Sequence, residues 1–152
     1  MLYLGSDHAG FKLKQAIKRY LSNHGYEYED LGNLKLDKND DYPDFGARVA
    51  KKVSEAPGKN KGILICGSAE GMGMVANKFR SVRAAVVYDK EAARLSREHN
   101  DANILSISGW KLTEQKARAI VKEFLETKFS GAKRHKRRLA KTGKIEKKNF
   151  KK

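Results

Sequence analysis

The chain has 152 residues, the size of one domain with a real core, and its 39% hydrophobic and 34% charged residues suit a globular protein. No apolar run approaches the roughly 18 residues of a membrane span. A single cysteine excludes an internal disulfide and a multi-cysteine zinc site, the four histidines lack HxxxH spacing, and no metal or cofactor is expected. Met1-Leu2-Tyr3-Leu4 leads straight into Gly5-Ser6-Asp7-His8 without a secretory signal, so a reducing cytoplasm is the expected location. The net charge of +15 is uneven: residues 132–152 hold eleven Lys or Arg and one acid, Glu146, a net +10, leaving +5 for the preceding 131. Such a run can bind nucleic acid by counterion release. Only Phe150 interleaves it with an aromatic ring, so the plainer reading is a solvated, flexible extension over 140–152 beyond a single domain at 1–139.

Leu2 to Leu4 is a short apolar strand. Leu13, Ala16, Ile17, Tyr20 and Leu21 follow at helical spacing, with Gly25 as a stop. Tyr26 to Leu31 is a second strand, and Gly32 to Asp41 is a polar loop. Pro43 suits the first turn of a helix carrying Phe45, Val49 and Val53, which Pro57-Gly58 ends. Ile63 to Ile65 is a buried strand that runs into Cys66-Gly67-Ser68-Ala69-Glu70-Gly71, with a helix expected from Met72 to Phe79. Arg83 to Val87 is a fourth strand. Asp89 caps a Lys90–Glu98 helix, Asn103 to Ile107 is a fifth strand, and Thr113 caps a helix with Ala117, Ile120, Val121, Phe124 and Leu125 on its apolar face. A further helix is possible after Gly131. The alternation predicts an α/β, three-layer Rossmann-like fold with a five-stranded parallel sheet and a basic C-terminal helical extension.

In such sheets ligands bind beyond the carboxyl ends of the strands. Asp7-His8, Cys66-Gly67-Ser68 and Ser106 to Trp110 stand at those ends. The glycine turn is neither Gly-x-Gly-x-x-Gly after the first strand nor a P-loop, which disfavours dinucleotides and nucleoside triphosphates. Cys66, ahead of a glycine turn and a helix start, has the setting of a thiolate base with a lowered pKa; the alternative is a buried structural thiol. Asp7 is either a cap or a hydroxyl contact, and His99 by itself reads as a helix-end histidine.

Seven motifs stand in a recognisable order. They are Gly5-Ser6-Asp7-His8-Ala9-Gly10, Asp41-Tyr42-Pro43-Asp44, Cys66-Gly67-Ser68, Ala76-Asn77-Lys78, Arg83-Ala84, Ser96-Arg97-Glu98-His99-Asn100-Asp101-Ala102-Asn103 and Arg134-His135-Lys136-Arg137-Arg138. From Met1 to about Leu139 the chain resembles the ribose-5-phosphate isomerase B family, shared with the galactose-6-phosphate isomerase subunits. The resemblance implies an aldose–ketose isomerase for D-ribose 5-phosphate and D-ribulose 5-phosphate, working through a cis-enediolate without metal or cofactor. Its six-carbon alternatives are galactose 6-phosphate and allose 6-phosphate, and RNA binding through the tail is the rival from another class. The family forms homodimers, often dimers of dimers, with active sites shared between subunits.

The resemblance also implies the roles. Cys66 moves a proton between C1 and C2. His99, from the partner subunit, opens the furanose, and Asn100 holds hydroxyls or the enediolate. Asp7, His8, Tyr42 and Ser68 touch the sugar, while Gly67 to Gly71 offer backbone N–H groups to the enediolate. Arg134, His135 and Arg138 bind the phosphate. The chain departs from the family at Ala69, usually glycine, at Glu70, usually apolar or Asn, and at Trp110, where many members carry a phosphate-binding arginine; Lys111 is the candidate substitute.

Overall fold

The computed structural model describes residues 1–150. Five strands alternate with helices: β1 (Leu2–Ser6), α1 (Phe11–Asn23), β2 (Tyr28–Asp30), α2 (Tyr42–Glu55), β3 (Lys61–Cys66), α3 (Glu70–Ala76), β4 (Ala84–Val86), α4 (Lys90–Asn100), β5 (Ile104–Ser108), α5 (Glu114–Glu126) and α6 (Lys133–Asn149). All pairings are parallel, in the order β2-β1-β3-β5-β4. The chain leaves β1 to one side to make β2 and returns to the other side for β3. The order therefore reverses between β1 and β3, and a crevice opens there at their carboxyl ends.

Side-chain alternation along the strands divides the core in two. Leu2, Leu4, Ile63, Ile65, Leu105 and Ile107 pack with α1, α4 and α5, whereas Tyr3, Leu64, Cys66 and Ile104 pack with α2 and α3. The α2 stripe of Phe45, Val49, Ala50 and Val53 covers that second face. Each such fully buried aliphatic side chain contributes about 1.5–3 kcal/mol. The inner strands run five or six residues and the edge strands β2 and β4 only three.

Several boundaries differ from the sequence expectation. The inner strands reach further toward the crevice, since β1 ends at Ser6 and β5 at Ser108. The helix expected over Met72–Phe79 spans Glu70–Ala76 instead. It stops because the Asn77 side chain pairs with the backbone of β4, donating to the Ala84 carbonyl at 3.0 Å and accepting from the Ala84 amide at 2.9 Å. Residues 140–149, expected as a flexible tail, continue α6. Glu146, the one acid of the basic run, accepts from the Ser81 amide at 2.6 Å and ties the helix to the turn before β4. Lys151 and Lys152 lie outside the described residues.

Candidate active site

Two separate groups of polar side chains emerge, one at each end of the sheet. The first lies in the crevice at the carboxyl ends of β1 and β3. Asp7 follows β1 and is 6% exposed. Its carboxylate accepts from the Gly10 amide at 3.0 Å and so steadies the entry to α1. Burial pushes its pKa up; the Gly10 bond and neighbouring His8 pull it back only in part. His8 stands beside it, its Nδ1 2.6 Å from Asp40 Oδ1, and the same carboxylate oxygen accepts from the His8 amide at 3.0 Å. The hydrogen bond to Asp40 raises the His8 pKa. With Nδ1 turned to Asp40, Nε2 is the ring nitrogen left for a ligand.

Asp40 was not foreseen in the sequence, where it is one acid among several in a polar loop. A relay fixes it. Lys14 is fully buried and donates to Asp30 Oδ1 at 2.9 Å and to the Asn33 carbonyl at 2.6 Å, while the Asn33 side-chain amide donates to Asp40. The ligating atoms of Asp7, His8 and Asp40 lie within 4.8 Å of one another, a spacing a metal could use. Nδ1 and the Asp7 carboxylate are, however, already engaged by Asp40 and the Gly10 amide.

Cys66 ends β3 and is 4% exposed. The amide N–H groups of Met72 and Ala69 face its sulfur, as a helix start behind a strand end implies. The expected lowering of its pKa is nevertheless corrected. Burial pushes the thiol up, and the carboxylates of Asp7 and Glu70 push the same way, against the pull of the two amides. A sequence reveals the helix start but not the depth of the sulfur.

Around Cys66 the turn has no spare room. A Cβ on Gly67 would lie 2.5 Å from Trp110 Cε2 and one on Gly71 2.6 Å from Tyr42 Cζ, so a side chain at either position would displace an aromatic ring. Tyr42 thus leans on the start of α3, and Trp110, 71% exposed, overlies Gly67. Ser68 Oγ accepts from the Glu70 amide at 3.3 Å. The hydroxyls of Ser106, Ser108 and Tyr88 all bond to carbonyls of this turn. Tyr88 went unnoticed in the sequence, where a strand-end tyrosine carries no signal of what its hydroxyl will meet.

The second group lies at the other end of the sheet. His99 and Asn100 close α4, just before β5 begins. His99 stacks against His135 of α6 with ring centroids 4.3 Å apart. His135 is 3% exposed and its Nδ1 lies 2.6 Å from Ser130 Oγ. Burial pushes its pKa down, and the neighbouring His99, Arg134 and Arg138 add to that. Arg134 and Arg138 are exposed on the same helix. Gly62 pairs with Ile104 and Cys66 with Ser108, so this group stands a full strand away from the sulfur, roughly 13 Å for four steps of about 3.3 Å per residue. One protomer brings Asp7, His8, Tyr42, Cys66, Gly67, Ser68 and Gly71 together. It brings His99, Asn100, Arg134, His135 and Arg138 together elsewhere.

Comparison with known proteins decides the family. The Ribose/Galactose Isomerase family matches residues 2–142. The chain belongs to that family. It is 42% identical over 146 residues to a probable ribose-5-phosphate isomerase B of Mycoplasma genitalium, covering 96% of this chain and 95% of that one. It is 42% identical over 138 residues to ribose-5-phosphate isomerase B of Mycobacterium tuberculosis, covering 91% and 85%. The crystal structure of the M. genitalium enzyme with bound ribulose 5-phosphate superposes with a TM-score of 0.94 at 41% identity over 97% of each chain. That of Clostridium thermocellum gives 0.91 at 43% identity, again over 97% of each chain. The family's three-layer fold with a five-stranded parallel sheet is the fold found here.

Proposed function

We propose that this protein interconverts D-ribose 5-phosphate and D-ribulose 5-phosphate at a site built by two copies of the chain. The observation that carries the reading is a cysteine sulfur at the β1/β3 crevice faced by two backbone amides, in a chain that belongs to a sugar-phosphate isomerase family. The M. genitalium relative, whose structure holds ribulose 5-phosphate, supports the five-carbon substrate.

One protomer supplies the crevice and its partner supplies the other end of the sheet. Such an exchange joins the two groups that a single chain keeps a strand apart. His99 gives a proton to the ring oxygen as the bond from it to C1 breaks, and the anomeric hydroxyl releases its proton to solvent, so that C1 becomes the carbonyl that acidifies the C2 hydrogen. The Cys66 thiolate takes the C2 proton. The bonding pair becomes the C1–C2 double bond, and negative charge moves onto O1. N–H groups between Gly67 and Gly71, with Ser68, receive that charge, and Asn100 holds the neighbouring hydroxyl. O1 then gains a proton, O2 loses one, and sulfur returns its proton to C1, which leaves the ketose. Asp7, His8 and Tyr42 position the sugar hydroxyls, while Arg134, Arg138 and His135 hold the phosphate; two arginine forks at helical spacing suit its oxygens. Positive charge from the partner offsets the burial that raises the thiol in one protomer. A reaction run by a reduced thiol suits the cytoplasm.

Purified protein given ribose 5-phosphate should form ketopentose, and Cys66→Ala should abolish turnover. Turnover retained by that variant removes the thiol from the mechanism. Trp110, in place of the family's arginine, makes six-carbon substrates the second reading. A kcat/KM higher for galactose 6-phosphate or allose 6-phosphate than for ribose 5-phosphate would select it.

A further inference from the structure

We propose that Tyr88 is a positioning residue for Cys66: its hydroxyl locks the Ser68–Ala69 peptide so that the N–H of Ala69 stays on the sulfur. This deepens the isomerase reading and rests on it for its kinetic consequence, though not for its geometry.

In a trans peptide the carbonyl of one residue and the amide of the next point in opposite directions. Fixing a carbonyl therefore fixes the following N–H. The turn after β3 has three such carbonyls in succession, each met by a hydroxyl from β5 or from Tyr88 just after β4. Ser108 Oγ donates to the Gly67 carbonyl at 2.5 Å, Tyr88 Oη to the Ser68 carbonyl at 2.5 Å, and Ser106 Oγ to the Ala69 carbonyl at 2.7 Å. The first and third have second donors, Trp110 N at 3.2 Å to Gly67 and Gly73 N at 3.2 Å to Ala69. The Ser68 carbonyl has Tyr88 as its partner among the described residues. The N–H on the far side of that peptide belongs to Ala69, one of the two amides that face Cys66.

That peptide is also under strain. Ala69 sits at φ 77°, in the left-handed region that a residue with a Cβ rarely adopts. Rotating the 68–69 peptide by half a turn, with its neighbours held, would carry Ala69 to a φ of roughly −100°, an ordinary value. The same rotation would withdraw the N–H from the sulfur and turn the Ser68 oxygen toward it. Backbone strain thus favours the arrangement least able to hold a thiolate, and the phenol opposes it. Tyr88 is suited to remain a donor. Its single proton goes to the Ser68 carbonyl at 2.5 Å rather than to the Glu70 carboxylate at 3.1 Å, and partial desolvation and that carboxylate both raise its pKa.

The test uses the full chain with 13C in the β-carbon of its only cysteine, so that one chemical shift followed against pH reports the Cys66 thiol directly. The charged or ionisable groups that influence it are Asp7 after β1, Glu70 of α3 and Tyr88 after β4. Tyr88→Phe, at a side chain 43% exposed, should fold normally. It should move the thiol midpoint up by about one unit, equivalent to tenfold less thiolate at a given pH. It should also lower kcat by about tenfold or more with little change in KM. In that background Ala69→Gly, which removes the strain at φ 77°, should bring the midpoint back toward the wild-type value. Superimposed titrations of wild type and Tyr88→Phe overturn the proposal. An upward shift that Ala69→Gly does not reduce overturns the peptide lock in favour of a direct effect of the phenol. Wild-type protein that titrates as expected but does not isomerise ribose 5-phosphate counts against the proposed function and leaves the lock standing.

Discussion

Asp40 holds His8 by both its backbone and its ring, so removing one negative charge should be felt at one imidazole. Asp40→Asn keeps an acceptor for the His8 amide but loses the charge that raises the ring's pKa. An NMR titration should then find His8 closer to its ordinary value of about 6.5, with less imidazolium at neutral pH and a higher KM for the sugar phosphate. An unchanged titration would show that the pair does not set the charge of His8. Stability follows the same sign. Because the folded pKa is raised, the contribution of the pair is full below about pH 6.5 and fades as pH climbs through the raised value. Asp7, an acid raised by burial, also leaves the fold better off at low pH, since its ionised form is the one burial disfavours. Cys66 and its glycine turn were legible in the sequence, because a strand running into glycines is a local pattern. Asp40 was not, since it meets His8 across 32 positions of chain. The direction of the Cys66 shift was misread, because amides at a helix start are local whereas burial is a property of the whole packing.

The helices differ in how tightly their surroundings specify them. Gly10 begins α1 against β3, where a Cβ would stand 2.1 Å from the Ile65 carbonyl oxygen. That contact is with backbone, so a side chain cannot be accommodated by a rotamer change. Gly10→Ala should destabilise the protein by about 3 kcal/mol or more in urea unfolding. Gly143 is the opposite case. It lies inside α6 with nothing within 4 Å of the place a methyl would take, so Gly143→Ala should stabilise by about 0.5–1 kcal/mol. A loss of stability there would mean that α6 does not run through that residue in solution. Most elements were readable from periodicity and caps: Asp89 and Thr113 do accept from Ala92 N and Lys116 N. The ends of α3 and α6 were not. Asn77 stops the first through a contact with β4, and Glu146 anchors the second through Ser81, both made across the fold rather than along the chain.

At the scale of the molecule, the proposed sharing of sites between two copies makes a distinctive demand. Cys66→Ala and His99→Ala chains should each be inactive alone. Mixed, dissociated and reassociated, they should regain up to about a quarter of wild-type activity, because half of the random dimers then contain one intact site of two. No recovery, with native mass spectrometry showing that mixed dimers had formed, would place His99 and Cys66 in the same chain's site or remove one of them from it.

The three-residue margins of the sheet reach further than they first suggest. A long bare strand invites another molecule to zip onto it; here β2 and β4 offer too few free backbone groups, and Asp30 of β2 is gripped by Lys14 and Lys18. Pairing of two copies edge to edge is thereby disfavoured. Fraying of β2 would uncover the flank of β1 over Leu2–Leu4 and open a route to uncontrolled polymer growth that those short margins keep shut.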